Sequence, residues 1–217
     1  MGPLLAMSLL LTACAAEERP KRTAAEQQCD GTVSATAAPA LRRVLDTETF
    51  TDATIGWLAE ATGQLRTDYE DGVRRSARAL RCDIKAEKGA RRVLSVEFGL
   101  YHDQEPPGIA SVPFTYPYEM GVAAYASYRQ VYLFTQCVSP RLKGSERDPV
   151  RIRGNLTVTG GKAPDTPATR EANLAVLHSI TLATVKELGC ANNAGLPERP
   201  VFKAVQPAPT WPQARPS

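Results

Sequence analysis

Histidine is almost missing from this chain: His102 and His178 are the only two in 217 residues. It also has no Cys-x-x-Cys pair and no Gly-x-Ser-x-Gly elbow. Each gap removes a class of chemistry. Zinc sites usually draw their ligands as closely spaced pairs, and none is present. A Ser-His-Asp hydrolase needs a histidine beside its nucleophile, and the α/β-hydrolase version sets its serine on that elbow. Aspartate and glutamate are scattered, so no glycosidase acid pair stands out. Charge of one sign is also lacking, with 26 basic against 23 acidic side chains and a net charge of +3. A nucleic-acid-binding domain is usually strongly basic. No catalytic residue, metal ligand, cofactor or nucleic-acid partner is therefore assigned. A long apolar run is missing too: the run rich in Leu and Met ends at Leu11, and a membrane-spanning helix needs about 20 apolar residues.

What the beginning does contain is Leu11-Thr12-Ala13-Cys14, small residues leading to a cysteine behind an apolar run. This reads as a lipobox, with cleavage between Ala13 and Cys14 and a diacylglyceryl group on the Cys14 thiol. The expected location is the extracytoplasmic face of the cell membrane, lipid-anchored. One feature departs from a secretory signal: Met1-Gly2-Pro3 carries neither Lys nor Arg, which such a signal normally has. Polar, turn-prone residues follow Cys14 at once, as a tether would.

Four cysteines remain: Cys29, Cys82, Cys137 and Cys190. An even number fits two disulfides in an oxidising compartment. Four cysteines allow three pairings. Cys29–Cys82 with Cys137–Cys190 is the favoured one, because it would tie the N-terminal helices and the last helix to the sheet. Cys29–Cys190 with Cys82–Cys137 stays open on spacing alone.

Periodicity then divides the chain. Ser34 to Leu45 reads as a helix, starting near Thr36 because Pro39 is tolerated only in the first turn. A second helix is expected from about Asp52 to Glu70. Leu80–Ala86 and Arg92–Tyr101 read as strands joined by a hairpin turn at Glu87–Ala90, and Asp103–Pro117 as a proline-rich loop. Arg129–Val138 and Val150–Thr159 are further strands. The clearest helix begins at Thr166, a capping residue followed by Pro167, carries a buried stripe from Leu174 to Leu188, and ends at Gly189. These elements predict an α+β fold: a central, mainly antiparallel sheet with helices packed on one face and the other left to solvent. The expected organisation is a signal peptide over 1–13, a tether over 14–28, one domain over 29–203 and a disordered proline-rich tail over 204–217.

Cys137-Val138-Ser139-Pro140-Arg141-Leu142 with Gly144-Ser145, and Arg170-Glu171-Ala172-Asn173-Leu174 through Lys186-Glu187-Leu188-Gly189-Cys190, resemble a family of streptomycete lipoproteins. The likeness runs from Cys29 to about Val201. It implies a secreted, cysteine-containing protein and transfers no active site.

Aromatic residues are few, yet seven of the fourteen fall between Phe114 and Phe134. Tyrosine gives rigid, amphipathic contact area. Phe114, Tyr116, Tyr118, Tyr125 and Tyr128 are therefore the candidate binding residues, with Phe114 to Tyr118 the expected exposed part. His178 sits next to the buried stripe and is expected to pack or hydrogen-bond. His102, beside Asp103, is the better candidate for chemistry. Two arginine-rich runs, Arg74 to Arg81 and Arg141 to Arg153, read as solvated faces. Together these features point to a binding module at the cell envelope, meeting an unknown ligand or protein partner. The alternatives are an envelope hydrolase using His102 and a non-catalytic accessory subunit of an envelope complex.

Overall fold

A computed structural model describes residues 23–51, 55–76, 80–87, 92–102, 115–161 and 163–205. The signal peptide, Cys14 and Phe114 lie outside the described residues. The order is one helical turn, α1 (Gln28–Gly31), then α2 (Ala38–Leu45), α3 (Trp57–Glu70), β1 (Arg81–Lys85), β2 (Val93–Leu100), β3 (Tyr116–Tyr118), β4 (Ala123–Ala126), β5 (Gln130–Cys137), β6 (Val150–Thr159) and α4 (Pro167–Glu187). The fold is α+β, as the sequence predicts.

All six strands join one antiparallel sheet in the order β1-β2-β6-β5-β4-β3. Its centre is β6, where Ile152, Leu156 and Val158 alternate with Arg151, Arg153 and Asn155, so one face is buried and the other half-exposed. The buried set continues across the register. Leu156 opposes Val96 on one side and Val131 on the other, and Ile152 opposes Leu100 and Thr135. Helices α3 and α4 cover this face. Where α4 crosses β6 the sheet has Gly154, and a Cβ there would come within 2.8 Å of Phe98 and 3.2 Å of Leu177. The missing side chain is what lets the helix seat so closely.

The start of α4 is held as the sequence predicts, with the Thr166 hydroxyl accepting from the Thr169 amide and Pro167 in the first turn. Its burial goes beyond the predicted stripe. Arg170, Asn173, His178, Ser179 and Thr184 are buried along with the leucines, because α2 packs on α4 as well as the sheet and Arg170 and Asn173 meet Tyr116 and Ser127 on the sheet side. A helix covered on all sides shows no single apolar face. The start of α3 is later than expected, at Trp57, and its cap is remote. Both carboxylate oxygens of Asp30 accept from its first turn, from Gly56 N at 2.8 Å and Leu58 N at 2.7 Å. The carboxylate thus meets the positive end of the helix.

The disulfides are Cys29–Cys82 and Cys137–Cys190, the favoured pairing. Three expectations are corrected. The proline-rich loop ends earlier than Pro117, because Tyr116–Tyr118 is a strand; its Pro117 is tolerated because β3 lies at the sheet edge. Among the described residues packing already includes Thr23, ahead of the expected start near Cys29: Thr23 bridges Phe50, and Ala25 and Gln28 are buried. The last correction concerns Ala204 and Val205, assigned to the tail. Ala204 bridges Tyr118, and the Val205 amide donates to the Pro117 carbonyl at 3.0 Å.

Candidate binding site

Strand alternation splits the aromatic residues instead of gathering them. Tyr116 and Tyr118 oppose Ala126 and Ala124, which belong to the buried face. Tyr116 is half-buried with the Arg170 guanidinium 3.4 Å from its ring centroid, a cation–π contact between β3 and α4. Tyr125 and Tyr132 point to the other face, where both lie edge-on or stacked against Phe134. Phe134 is an outward residue by alternation yet only 1% exposed, since Tyr101 packs edge-on at 5.1 Å. Tyr128, in the β4–β5 turn, has Arg129 over its ring at 5.3 Å. The four described candidates, Tyr116, Tyr118, Tyr125 and Tyr128, therefore do not form one face. Burial raises the phenol pKa values of Tyr118, Tyr125 and Tyr132, which keeps these hydroxyls protonated and able to donate.

Two of these four, Tyr118 and Tyr125, do line a common groove. Its volume is about 670 Å³, well within the range of ligand pockets. Met120, Val122, Gly195, Pro197, Val201 and Val205 complete the apolar part of its wall. The β3–β4 turn forms one side. It folds back over β5 through Val122 N, which donates to the Phe134 carbonyl at 2.8 Å. Gly121 makes this possible, since a Cβ there would stand 2.5 Å from the same oxygen and its φ is +59°. The chain after α4 forms the other side. It leaves the Cys137–Cys190 bridge, passes through Leu196, and reaches β3, where Glu119 N donates to Lys203 O and Lys203 Nζ pairs with Glu119 at 2.8 Å.

The groove is also where apolar surface remains uncovered. Val122, Val201, Phe202 and Val205 lie in or beside it, four of the seven large apolar side chains that are exposed among the described residues. Val201 is 64% exposed. Scattered single residues of this kind carry no message, but a contiguous group does. Residues 201–205 gave no such signal in the sequence, because they straddle the boundary expected at 204 between the domain and a proline-rich tail.

His102, the candidate for chemistry, is exposed and lines neither this groove nor the cavity beside His178. His178 is 1% exposed, and burial pushes its pKa down against a hydrogen bond with the Pro197 backbone. The two arginine runs meet around one acid. Arg74 and Arg151 bond the two oxygens of Asp148 at 2.6 and 2.8 Å, and those hydrogen bonds, Arg74 first, hold its carboxyl below the usual range. Arg141 donates to the Glu187 carbonyl at the end of α4. At these positions the runs are internal partners more than a free anionic-ligand surface. Among the described residues no cluster of His, Cys, Asp or Glu has the makings of a metal centre.

No family model, curated protein or solved structure matches the chain. The two disulfides fit an oxidising compartment. Among the described residues no helix is long and apolar enough to cross a membrane.

Proposed function

We propose that the chain is a lipid-anchored extracytoplasmic binding protein, akin to the streptomycete lipoproteins it resembles. Its ligand-contacting surface is the groove between the β3–β4 turn and residues 195–205. The observation that carries the reading is the concentration of exposed apolar side chains around Tyr118 and Tyr125. Such a surface suits a protein partner that offers apolar side chains of its own, since association through it removes that surface from water.

Placement supports the same reading. An anchor on Cys14 would lead into the fold at Thr23, which bridges Phe50 just beyond β1, where Phe50 in turn bridges Ala86. The groove lies at β3, the opposite edge of the six-stranded sheet. Five strand spacings, about 24 Å, separate the two edges. A partner at the groove would thus meet the domain on the side away from its tether.

Two measurements on the full chain test this. Cys14→Ser is expected to abolish lipid labelling and release the protein from the membrane, because a diacyl anchor is what holds it there. A photo-cross-linking residue at Val201 is expected to give one discrete protein adduct in intact envelopes, lost when Val122→Asp puts a charge in the groove. The same cross-linker at exposed Glu48, on the opposite side, should give none. Equal adducts from both positions would overturn the groove, and undiminished membrane retention of the Cys14 variant would overturn the anchor.

A further inference from the structure

A second cavity opens at the end of the sheet where β6 leaves for α4. Its volume is about 210 Å³. Three parts of the chain meet there: the end of α2 through Arg43 and Val44, the approach to β2 through Arg92, and the first turn of α4 through Thr169. The charged residues of its lining are the two arginines, and no carboxylate is among them. Like charges facing one space repel, and an anion between them removes that cost.

Arg92 is held at two points. Its stem lies over Gly161, where a Cβ would come within 2.6 Å of Nε, and its Nη1 donates to the Val44 carbonyl at 3.1 Å. A carbonyl carries no net charge, so this bond positions the guanidinium without cancelling its charge. Arg43 differs from its neighbour in α2. Arg42 is met by two acids, Glu26 at 3.0 Å and Glu48 at 3.2 Å. Arg43 is exposed, and its side chain has no ion pair or hydrogen bond among the described residues. Asp46, the nearest acid in sequence, caps α2 and makes no ion pair with it. Thr169 adds a neutral donor. Its hydroxyl lies 3.0 Å from that of Thr166, and a hydroxyl that accepts there can donate into the cavity. The amino end of α4, a helix of 21 residues, lies at the same space and favours negative charge.

We propose that this cavity binds a phosphate group, with Arg43 and Arg92 on its oxygens and the Thr169 hydroxyl donating to a third. The guanidinium fork matches phosphate geometry, and donors from three parts of the chain suit a tetrahedral anion better than a planar carboxylate. Two sources carry that group, the headgroup of an anionic phospholipid and inorganic phosphate. The place of the cavity favours the lipid. Thr23 bridges Phe50, Phe50 bridges Ala86, and Ala86 leaves the sheet beside Arg92, since Lys85 pairs with Val93. Thr23 is therefore three strand spacings, roughly 15 Å, from Arg92. Cys14 is nine residues before Thr23, a reach of at most about 30 Å. The lipid source rests on the anchor reading; the phosphate site does not.

The test uses the full chain carrying Cys14→Ser, so that no acyl chain holds it to a bilayer. Co-sedimentation is compared between vesicles of phosphatidylcholine alone and of phosphatidylcholine mixed with phosphatidylglycerol, and inorganic phosphate is titrated by phosphorus NMR. Saturable binding to the mixed vesicles, displaced by phosphate, is expected and assigns the lipid as the source. Saturable binding of inorganic phosphate with no preference between vesicles upholds the site and assigns the free anion. In either case Arg43→Gln should weaken binding about tenfold, and Arg43→Lys nearly as much, because an ammonium keeps the charge and loses the fork. Both variants should keep the melting temperature, since the side chain is exposed and unpaired. Lys85→Gln removes an exposed cation near by that does not line the cavity, and should change binding by no more than about twofold. No saturable binding of either probe overturns the proposal. So does equal weakening by Arg43→Gln and Lys85→Gln, or an Arg43→Lys variant that binds like wild type, since either marks a general attraction of charge.

Discussion

Both edges of the sheet are covered by a short strap of chain, but the two straps are built differently. At the β1 edge Thr51 N donates to Lys85 O and Glu87 N to Thr49 O. Between them Phe50 is fully buried, and Thr23 pairs along its far side. Gln28 and the Cys29–Cys82 bridge fasten the same corner. At the β3 edge the strap is residues 203–205, held by two backbone hydrogen bonds and an exposed ion pair, the kind of pair that contributes at most about 1 kcal/mol. The side chains around it, Val201, Phe202 and Val205, remain exposed. An open strand edge invites pairing with other chains, and both straps remove that hazard. One does so by joining the core. The other does so while keeping apolar surface available, which is what a binding edge requires.

The largest expected effect comes from cutting the covalent fastening. Each disulfide closes a loop of the same sequence separation, 53 residues, which the chain-entropy account values at about 4 kcal/mol as an upper figure. Replacing Cys29 and Cys82 by Ala, or Cys137 and Cys190 by Ala, should therefore cost similar stability in a urea titration. The place of loosening should differ. Amide exchange is expected to rise across residues 23–51 in the first double variant and across 191–205 in the second. Equal loosening of both straps in either variant would break the comparison.

A smaller, local effect tests the groove side alone. Gly121→Ala forces a side chain into a left-handed backbone, which costs about 1–2 kcal/mol, and into a space where the Phe134 carbonyl already stands. The β3–β4 turn should lift from β5, lowering the melting temperature and weakening the cross-link expected at Val201. An unchanged cross-link with the turn shifted would show that the groove does not depend on that turn.

How much of this was legible in the sequence follows from where each signal resides. The ends of α4 could be read because Thr166, Pro167 and Gly189 act through local geometry. Alternation along Val150–Thr159 gave β6 to the residue, because burial on one face is enforced at every second position. The short strands failed for the converse reason. Tyr116-Pro117-Tyr118 contains a proline, and Ala123-Ala124-Tyr125-Ala126 has weak strand propensity; both are strands because β5 offers a ladder and β3 an edge. The aromatic cluster was visible as composition, but which faces its members take depends on that unseen register. Phe134 is buried on the outer face by Tyr101, 33 positions earlier, and the Thr32 carbonyl accepts from the Ser179 hydroxyl of α4, 147 positions later. The capping of α3 by Asp30 is of the same kind. Contacts made across long separations leave no periodic mark.

The smallest effect is the most discriminating, since it alters one hydrogen bond at each edge. Val205→Pro removes the amide that donates to Pro117 O, and Thr51→Pro the one that donates to Lys85 O. Either loss is worth about 1 kcal/mol taken alone. The difference should lie in how far it spreads. A strap with exposed side chains can open by itself, so the Val205 variant is expected to raise exchange at the Glu119 amide while leaving the urea midpoint almost unchanged. The Thr51 variant disturbs a strap whose neighbour Phe50 is fully buried and whose carbonyl is met by Gln28 and Thr23. Its loss has to be shared with the core, so its midpoint should fall visibly. If the Val205 variant lowers the midpoint as much as the Thr51 variant, the β3 strap is part of the cooperative fold. The groove would then be a rigid feature of the domain instead of an edge that can yield to a partner.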